Sequence, residues 1–203
     1  MIKMKESARL VFVLTFICLL ASLGLALVNR ATEQRIAHQK KMEKLSAIRG
    51  VLPPFDNDPI KNKKEFVVGN DEEGRPITKT FYLGKMNEEI VGIAFQTEGE
   101  GFGGAIMAII GINLKGETTG IEILDHYETP GLGARIEVSE FRGQFIGKSL
   151  SNSKLAEGSL ALIKDKGDID SLTGATISSR GLTQALDRAL WLFKEYKDDI
   201  LEK

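Results

Sequence analysis

Ala105-Ile-Met-Ala-Ile-Ile-Gly-Ile112, then Asn113-Leu-Lys-Gly-Glu117, then Thr119-Gly-Ile-Glu-Ile-Leu124 is the stretch on which the fold turns. The first segment is a continuous apolar run of strand length, as expected for a strand covered on both faces. The second is short, polar and glycine-bearing, which reads as a hairpin turn. The third alternates apolar and polar residues, so it reads as the returning antiparallel strand. Working back towards the N-terminus, Glu65-Phe-Val-Val68, Thr80-Phe-Tyr-Leu83 and Glu89-Ile-Val-Gly-Ile-Ala-Phe95 read as three more strands, with Gly69-Asn-Asp-Glu-Glu-Gly74 as a turn between the first two. Working forward, Glu137 to Ile146 reads as a short helix around Phe141, and Leu160-Ala-Leu-Ile163 as a further strand. Ser178 or Ser179 caps a closing helix that runs to Tyr196 or beyond, with Leu182, Leu186, Ala189, Leu190 and Phe193 on one face. Trp191 falls off that stripe, as an interface Trp or a plain surface one would. Helices flanking an antiparallel sheet make an α+β domain.

Leu10 to Val28 contains no charged residue. At ~1.5 Å per residue it is long enough to cross the roughly 30 Å hydrocarbon core. A cleaved signal peptide is the competing reading, given Lys3, Lys5 and Arg9 ahead of the run. The run exceeds the ~7–15 residues of a usual signal core and no Ala-x-Ala site follows, which favours a retained anchor. The resulting division is a cytoplasmic tail (1–9), a transmembrane helix in membrane lipid (10–28), a connector helix and linker (29–64) and a domain (65–203). Thr32 to Arg49 forms the connector helix, with Thr32 as its cap and Gly50 and Pro53-Pro54 as its stop. Flanking charges leave the orientation undecided. A short tail inside and a long translocated domain is the common arrangement for a first span, and it puts residues from Asn29 onward outside the cytoplasmic membrane.

The formal net charge of −1 and the lack of a basic stripe with interleaved aromatics exclude a nucleic-acid-binding reading. Cys18, the only cysteine, lies in the apolar run, so the chain builds no disulfide or thiolate metal site of its own. His38 and His126 are far apart in sequence, and His126 with Glu128 is too thin a set for a metal.

Three polar or glycine-rich stretches carry chemistry. Asp170-Ser-Leu-Thr-Gly-Ala-Thr176 leads straight into the closing helix. A phosphate on the Thr176 hydroxyl would lie near free N–H groups and the positive end of the helix dipole. A threonine hydroxyl does not attack a phosphoanhydride unaided, so such a site needs a shape that another enzyme can read. The same residues also serve as an ordinary loop and N-cap. Gly99-Glu-Gly-Phe-Gly-Gly104 lacks both the spacing and the βαβ context of a dinucleotide fingerprint and reads as a tight turn. In His126-Tyr-Glu-Thr-Pro-Gly-Leu-Gly133, Pro130-Gly131 suits a type II turn. Glu128 and Thr129 are placed to hydrogen-bond a heteroaromatic ring and Leu132 to pack on its face; the same loop can equally be only a solvated one.

The span, Gly-x-Gly-Phe-Gly-Gly, His-x-Glu-Thr-Pro-Gly-Leu-Gly and Asp-x-x-Thr-Gly-Ala-Thr occur in the order found in the FMN-binding-domain family. Nearly the whole chain resembles the G subunits of Rnf (Rsx) ion-translocating electron-transport complexes. It is also similar to the C subunits of sodium-translocating NADH:quinone reductases, for which it is short. The resemblance implies FMN held by a phosphoester to Thr176. Asp170, Thr173, Gly174 and Ala175 would be the signature read by a flavin transferase that donates FMN from FAD. Thr173 stands where many members have Ser. Glu128, Thr129, Gly131 and Leu132 match the family's loop near the flavin ring. The implied role is electron relay among other membrane subunits of a ferredoxin–NAD oxidoreductase coupled to Na⁺ or H⁺ movement, with no stand-alone activity and no catalytic residue of its own.

Overall fold

The computed structural model describes the backbone of residues 2–70, 73–153 and 159–202, and the side chains of all of these except 2–7 and 34. Met1 of the expected tail, and Asp71 and Glu72 of the expected Gly69–Gly74 turn, lie outside the described residues. The chain divides into two units, Met1–Lys44 and Leu45–Lys203.

The first unit holds most of helix α1 (Ile2–Val51), whose segment Ala8–Glu33 is long and apolar enough to cross a membrane and buries none of its surface in the protein. Thr32 does not cap a separate connector helix. It lies inside α1, where its hydroxyl donates to the carbonyl of Val28 at 2.9 Å. Back-bonding of this kind satisfies a hydroxyl within a helix, and no proline interrupts the run, so span and connector form one helix.

The second unit is built on a five-stranded antiparallel sheet in sequential order: β1 (Lys63–Asn70), β2 (Pro76–Met86), β3 (Glu89–Glu100), β4 (Ala105–Ile112) and β5 (Thr118–His126). β4 has the bounds that its apolar run indicates. It is flanked by β3 and β5, which pair with it on either side and set Phe95 opposite Ile110 and Ile110 opposite Ile121. These residues share a face with Phe81, Leu83 and Ile93, and the closing helix α3 (Thr176–Leu201) packs on that face through Leu182, Leu186, Leu190 and Phe193, all buried. Each large side chain fully removed from water contributes about 1.5–3 kcal/mol.

Tyr82, Ala94 and Ile109 cover the opposite face of the sheet together with Ile48, Val51 and Leu52. The last turns of α1, expected from sequence only as a connector, are therefore core. Glycines make the approach possible. A Cβ on Gly111 would lie 2.0 Å from the carbonyl oxygen of Val51, and Gly120, paired with Gly111, faces the Val51 Cα. Thr119 closes the contact by donating its hydroxyl to that same carbonyl at 2.5 Å.

Between β5 and α3 the chain forms a 3₁₀ turn (Gly133–Glu137) and a short helix α2 (Ser139–Gly143), which divide the single short helix expected over Glu137–Ile146. The strand expected over Leu160–Ile163 does not form. Leu162 makes only an isolated parallel bridge to Ile169, and Ile163–Asp165 is a 3₁₀ turn. Lys166, in the left-handed region at φ 69°, ends that turn and prevents an extended run.

Candidate functional site

Helix α3 begins at Thr176, three residues earlier than a cap at Ser178 would allow. Ala175 occupies the N-cap position and provides no side-chain hydrogen bond. The first intrahelical bond runs from Ser179 N–H to Ala175 C=O at 3.0 Å, so the amides of Thr176, Ile177 and Ser178 precede the helical ladder. Both serines expected as caps have other partners. The Ser179 hydroxyl, fully buried, donates to Ala175 C=O at 2.9 Å and accepts the N–H of Leu172 at 3.0 Å, tying the preceding loop to the helix. Ser178 donates to Glu128 at 2.6 Å. A side-chain cap usually stabilises a helix by about 1 kcal/mol. Leaving that position to alanine keeps this helix end open to an external acceptor.

Glu128 is only 6% exposed. Its Oε2 accepts the Ser178 hydroxyl and its Oε1 accepts the N–H of Gly103 at 3.0 Å. Two donors on a buried carboxylate still leave lone pairs on both oxygens for a further donor. Gly133 makes room for the arrangement: a Cβ there would come within 2.0 Å of Glu128 Oε2. The Glu128 backbone is held too, since its N–H donates to His126 Nδ1 at 3.1 Å. His126 Nε2 lies 3.1 Å from a Glu137 oxygen, so the geometry puts the imidazole proton on Nε2.

These groups border a cleft of about 430 Å³ lined by Phe102, Glu128, Thr129, Leu132, Gly133, Gly174, Ala175, Thr176, Ile177 and Ser178. Its size lies within the usual ~300–1,000 Å³ of small-molecule sites, and so does its character, apolar walls around a few placed polar groups. Phe102 at the tip of the β3–β4 hairpin is 73% exposed; Leu132 and Ile177 are about half exposed. Exposed apolar side chains around a concavity mark a binding surface.

Of the residues singled out from sequence, Glu128, Thr129, Leu132, Gly174, Ala175 and Thr176 meet in this cleft. Gly131 does not line it; with φ 77° it shapes the turn that presents Leu132. Asp170 borders a separate cleft with Arg135, Glu140 and Gln144, and its backbone exchanges two hydrogen bonds with the Gln144 amide. Thr173 is exposed and lines neither. Gly174, at φ 80°, is in the left-handed region and makes the turn between Thr173 and Ala175. Ser178, Ile177 and Gly133 extend the site beyond the sequence reading. So does Lys164, whose Nζ lies 3.3 Å from Thr176 Oγ1. Next to it, Asp165 receives two hydrogen bonds from Arg180 at 2.8 and 3.1 Å, and that guanidinium holds the Asp165 carboxyl below the usual carboxylate range.

Residues 101–191, which contain the whole cleft, match the FMN-binding domain family. Over 98% of its length the chain is 31% identical to the G subunit of the ion-translocating oxidoreductase complex of Aliivibrio fischeri, covering 94% of that protein. The chain belongs to the family of these G subunits. The G subunit from Stutzerimonas stutzeri is 35% identical, over 87% of this chain and 76% of that one. Among solved structures, the C subunit of the Na⁺-translocating NADH-quinone reductase of Parabacteroides distasonis aligns with a TM-score of 0.55 at 17% identity, covering 81% of this chain and 94% of that one. At that identity the likeness is one of fold. Sequence thus places the chain among the G subunits, and its FMN-binding domain is built on a scaffold shared with the quinone-reductase protein.

Proposed function

We propose that this chain carries FMN covalently, as a phosphoester of Thr176, and relays electrons within an ion-translocating ferredoxin:NAD oxidoreductase complex. The observation that carries the reading is the uncapped start of α3. A half-buried threonine hydroxyl sits at the first helical residue, beside amides that precede the ladder and beside the Lys164 ammonium, at the mouth of a flavin-sized cleft. A phosphate joined to Thr176 takes the place that a side-chain cap leaves empty, and the helix dipole favours its charge.

Bound there, the flavin would supply the redox chemistry, as cofactors do. The chain supplies the rest. Leu132, Ile177 and Phe102 offer apolar surface to the faces of a planar ring, and Thr129 and Glu128 offer polar atoms to its edge. Glu128 is the one buried carboxylate among the lining residues, fixed by neutral donors and paired with no cation among the described residues. A fixed negative charge at low local dielectric disfavours added negative charge beside it, so Glu128 would make the ring harder to reduce and would draw a ring N–H towards itself. The open side of the cleft, bordered by exposed Phe102, leaves an edge for electron exchange with a neighbouring protein of the complex.

The reading includes a retained anchor over 10–28, embedded in lipid, with the domain on the extracytoplasmic side of a bacterial inner membrane. It also includes maturation by a flavin transferase that reads Asp170–Ala175. Anchoring raises the local concentration of the membrane partners. Asp170 and Thr173 are exposed and do not line the cleft, which leaves them accessible to an enzyme while Thr176 presents its hydroxyl. Co-expression with a flavin transferase should give a denatured gel band that fluoresces under ultraviolet light, lost in Thr176→Ala and kept in Thr176→Ser. A band that persists in Thr176→Ala moves the attachment elsewhere, with Thr173 first to be tested.

A further inference from the structure

We infer that Lys164 is a catalytic residue of the chain's own flavinylation and afterwards a counter-ion of the bound phosphate, an inference that rests on the attachment proposed at Thr176. Its Nζ lies 3.3 Å from the Thr176 hydroxyl oxygen and donates to it, so the cation touches the atom that must become the nucleophile.

The turn that carries Lys164 is held from several sides. Ile163 N–H donates to Ile169 C=O at 2.8 Å, Asp165 N–H to Leu162 C=O at 2.8 Å and Gly167 N–H to Leu162 C=O at 2.9 Å, above a buried Leu162. Asp165 is then fastened to Arg180 by two hydrogen bonds. Arg180 lies one helical turn beyond Thr176, on the same face of α3. The Asp165–Arg180 pair therefore ties the 3₁₀ turn to the helix beside the acceptor and fixes where Lys164 can reach. Arg180 and Asp165 are positioning residues; Lys164 is the group that touches the reacting atom.

With FAD as donor, Thr176 Oγ1 attacks the flavin-side phosphorus. An Oγ1–P bond forms, the bond from that phosphorus to the bridging oxygen breaks, and AMP leaves with the electron pair. The hydroxyl proton passes to a base of the transferase, and no redox change occurs. The Lys164 ammonium favours the negative charge that develops on Oγ1 and on the phosphoryl oxygens, and then pairs with the phosphodiester anion. Lysine suits a single non-bridging oxygen because it acts as a compact point charge.

The test uses the full-length chain in detergent with a purified flavin transferase and FAD, following the fluorescent band with time. Lys164→Gln should incorporate flavin about 10-fold more slowly than wild type, a discount from the roughly 10²–10³-fold loss of a buried oxyanion donor because this lysine is exposed. Lys164→Arg should recover most of the rate. Lys166→Gln, which removes the same charge two residues away, should react as wild type does. In the loaded proteins, the ³¹P resonance of the phosphodiester should shift in Lys164→Gln and not in Lys166→Gln. Equal rates for wild type and Lys164→Gln, equal slowing in both glutamine variants, or an unmoved ³¹P resonance would each overturn the proposal. A wild type that takes up no flavin, or a Thr176→Ala that still does, refutes the attachment reading itself and is told apart by that.

Discussion

Replacing Ser178 with alanine removes one of the two donors that hold the buried Glu128 carboxylate and changes little else, since alanine occupies the same space less one oxygen. The lost contact is short, 2.6 Å, and charged at one end. Hydrogen bonds to charged groups contribute about 1.5–3 kcal/mol, and here the loss leaves the carboxylate with Gly103 N–H as its remaining donor. For a domain of this size about 2–4 °C accompanies each kcal/mol, so Tm should fall by roughly 3–12 °C. Thermal melts of wild type, Ser178→Ala, Glu128→Gln and the double variant give the coupling directly. A neutral amide at 128 asks less of its donors, so the serine should be worth only about 0.5–1.5 kcal/mol in that background, with a coupling of about 1 kcal/mol or more. A Ser178→Ala shift below about 1 °C, or strict additivity, would refute the picture of a carboxylate held dry by neutral donors.

Three further outcomes follow from other parts of the molecule. Gly111→Ala sets a Cβ 2.0 Å from the Val51 carbonyl oxygen, a backbone atom that cannot step aside, and should cost about 3 kcal/mol or prevent folding, read by urea denaturation; Gly143→Ala, whose added Cβ meets nothing within 4 Å, should leave the midpoint within the equivalent of about 1 kcal/mol. Asp187 accepts the Leu160 N–H at 2.6 Å, and burial holds its carboxyl above the usual range. A raised folded-state value means that its favourable contribution is present in acid and lost as pH rises through that value, so Asp187→Asn should be more stable than wild type near pH 7 in thermal melts, with the advantage vanishing on acidification. The Asp165–Arg180 pair has the opposite sign: Arg180 lowers the Asp165 carboxyl, so any stability it lends is present above the usual carboxylate range and lost as pH falls through the lowered value, and melts of Asp165→Asn should lack that part of the acid dependence.

The sheet and its covering helix are legible in the sequence because hydrophobic periodicity is set by burial. The apolar run Ala105–Ile112 is β4, and Leu182, Leu186, Ala189, Leu190 and Phe193 are all core. The role of the end of α1 is hidden, because a glycine inside a strand looks the same in sequence whether it breaks the strand or lets a helix approach; Gly111 and Gly120 do the second. Thr32 and the paired serines mislead for a common reason. Hydroxyl residues favour caps, yet each of these bonds inside a helix or across to another element. In the site, two loop motifs locate six of the cleft residues. Phe102 is within reach of the same reading, since its glycine-rich stretch is recognisable as a turn. Ser178 reads as a cap and Lys164 follows a segment that resembles a strand, so neither announces its partner, fifty and twelve residues away. Asp170 lines a different cleft from Thr176, with its backbone bonded to the Gln144 side chain twenty-six residues back, a pairing that no local pattern of side chains records.

The attachment of FMN to Thr176 is the central claim, and intact mass with peptide mapping of the chain purified from its native membrane tests it most directly. The expected result is one FMN added per chain, located on Thr176, with the apolar residues 10–28 retained. A chain without flavin, or with the flavin on any other residue, would contradict it.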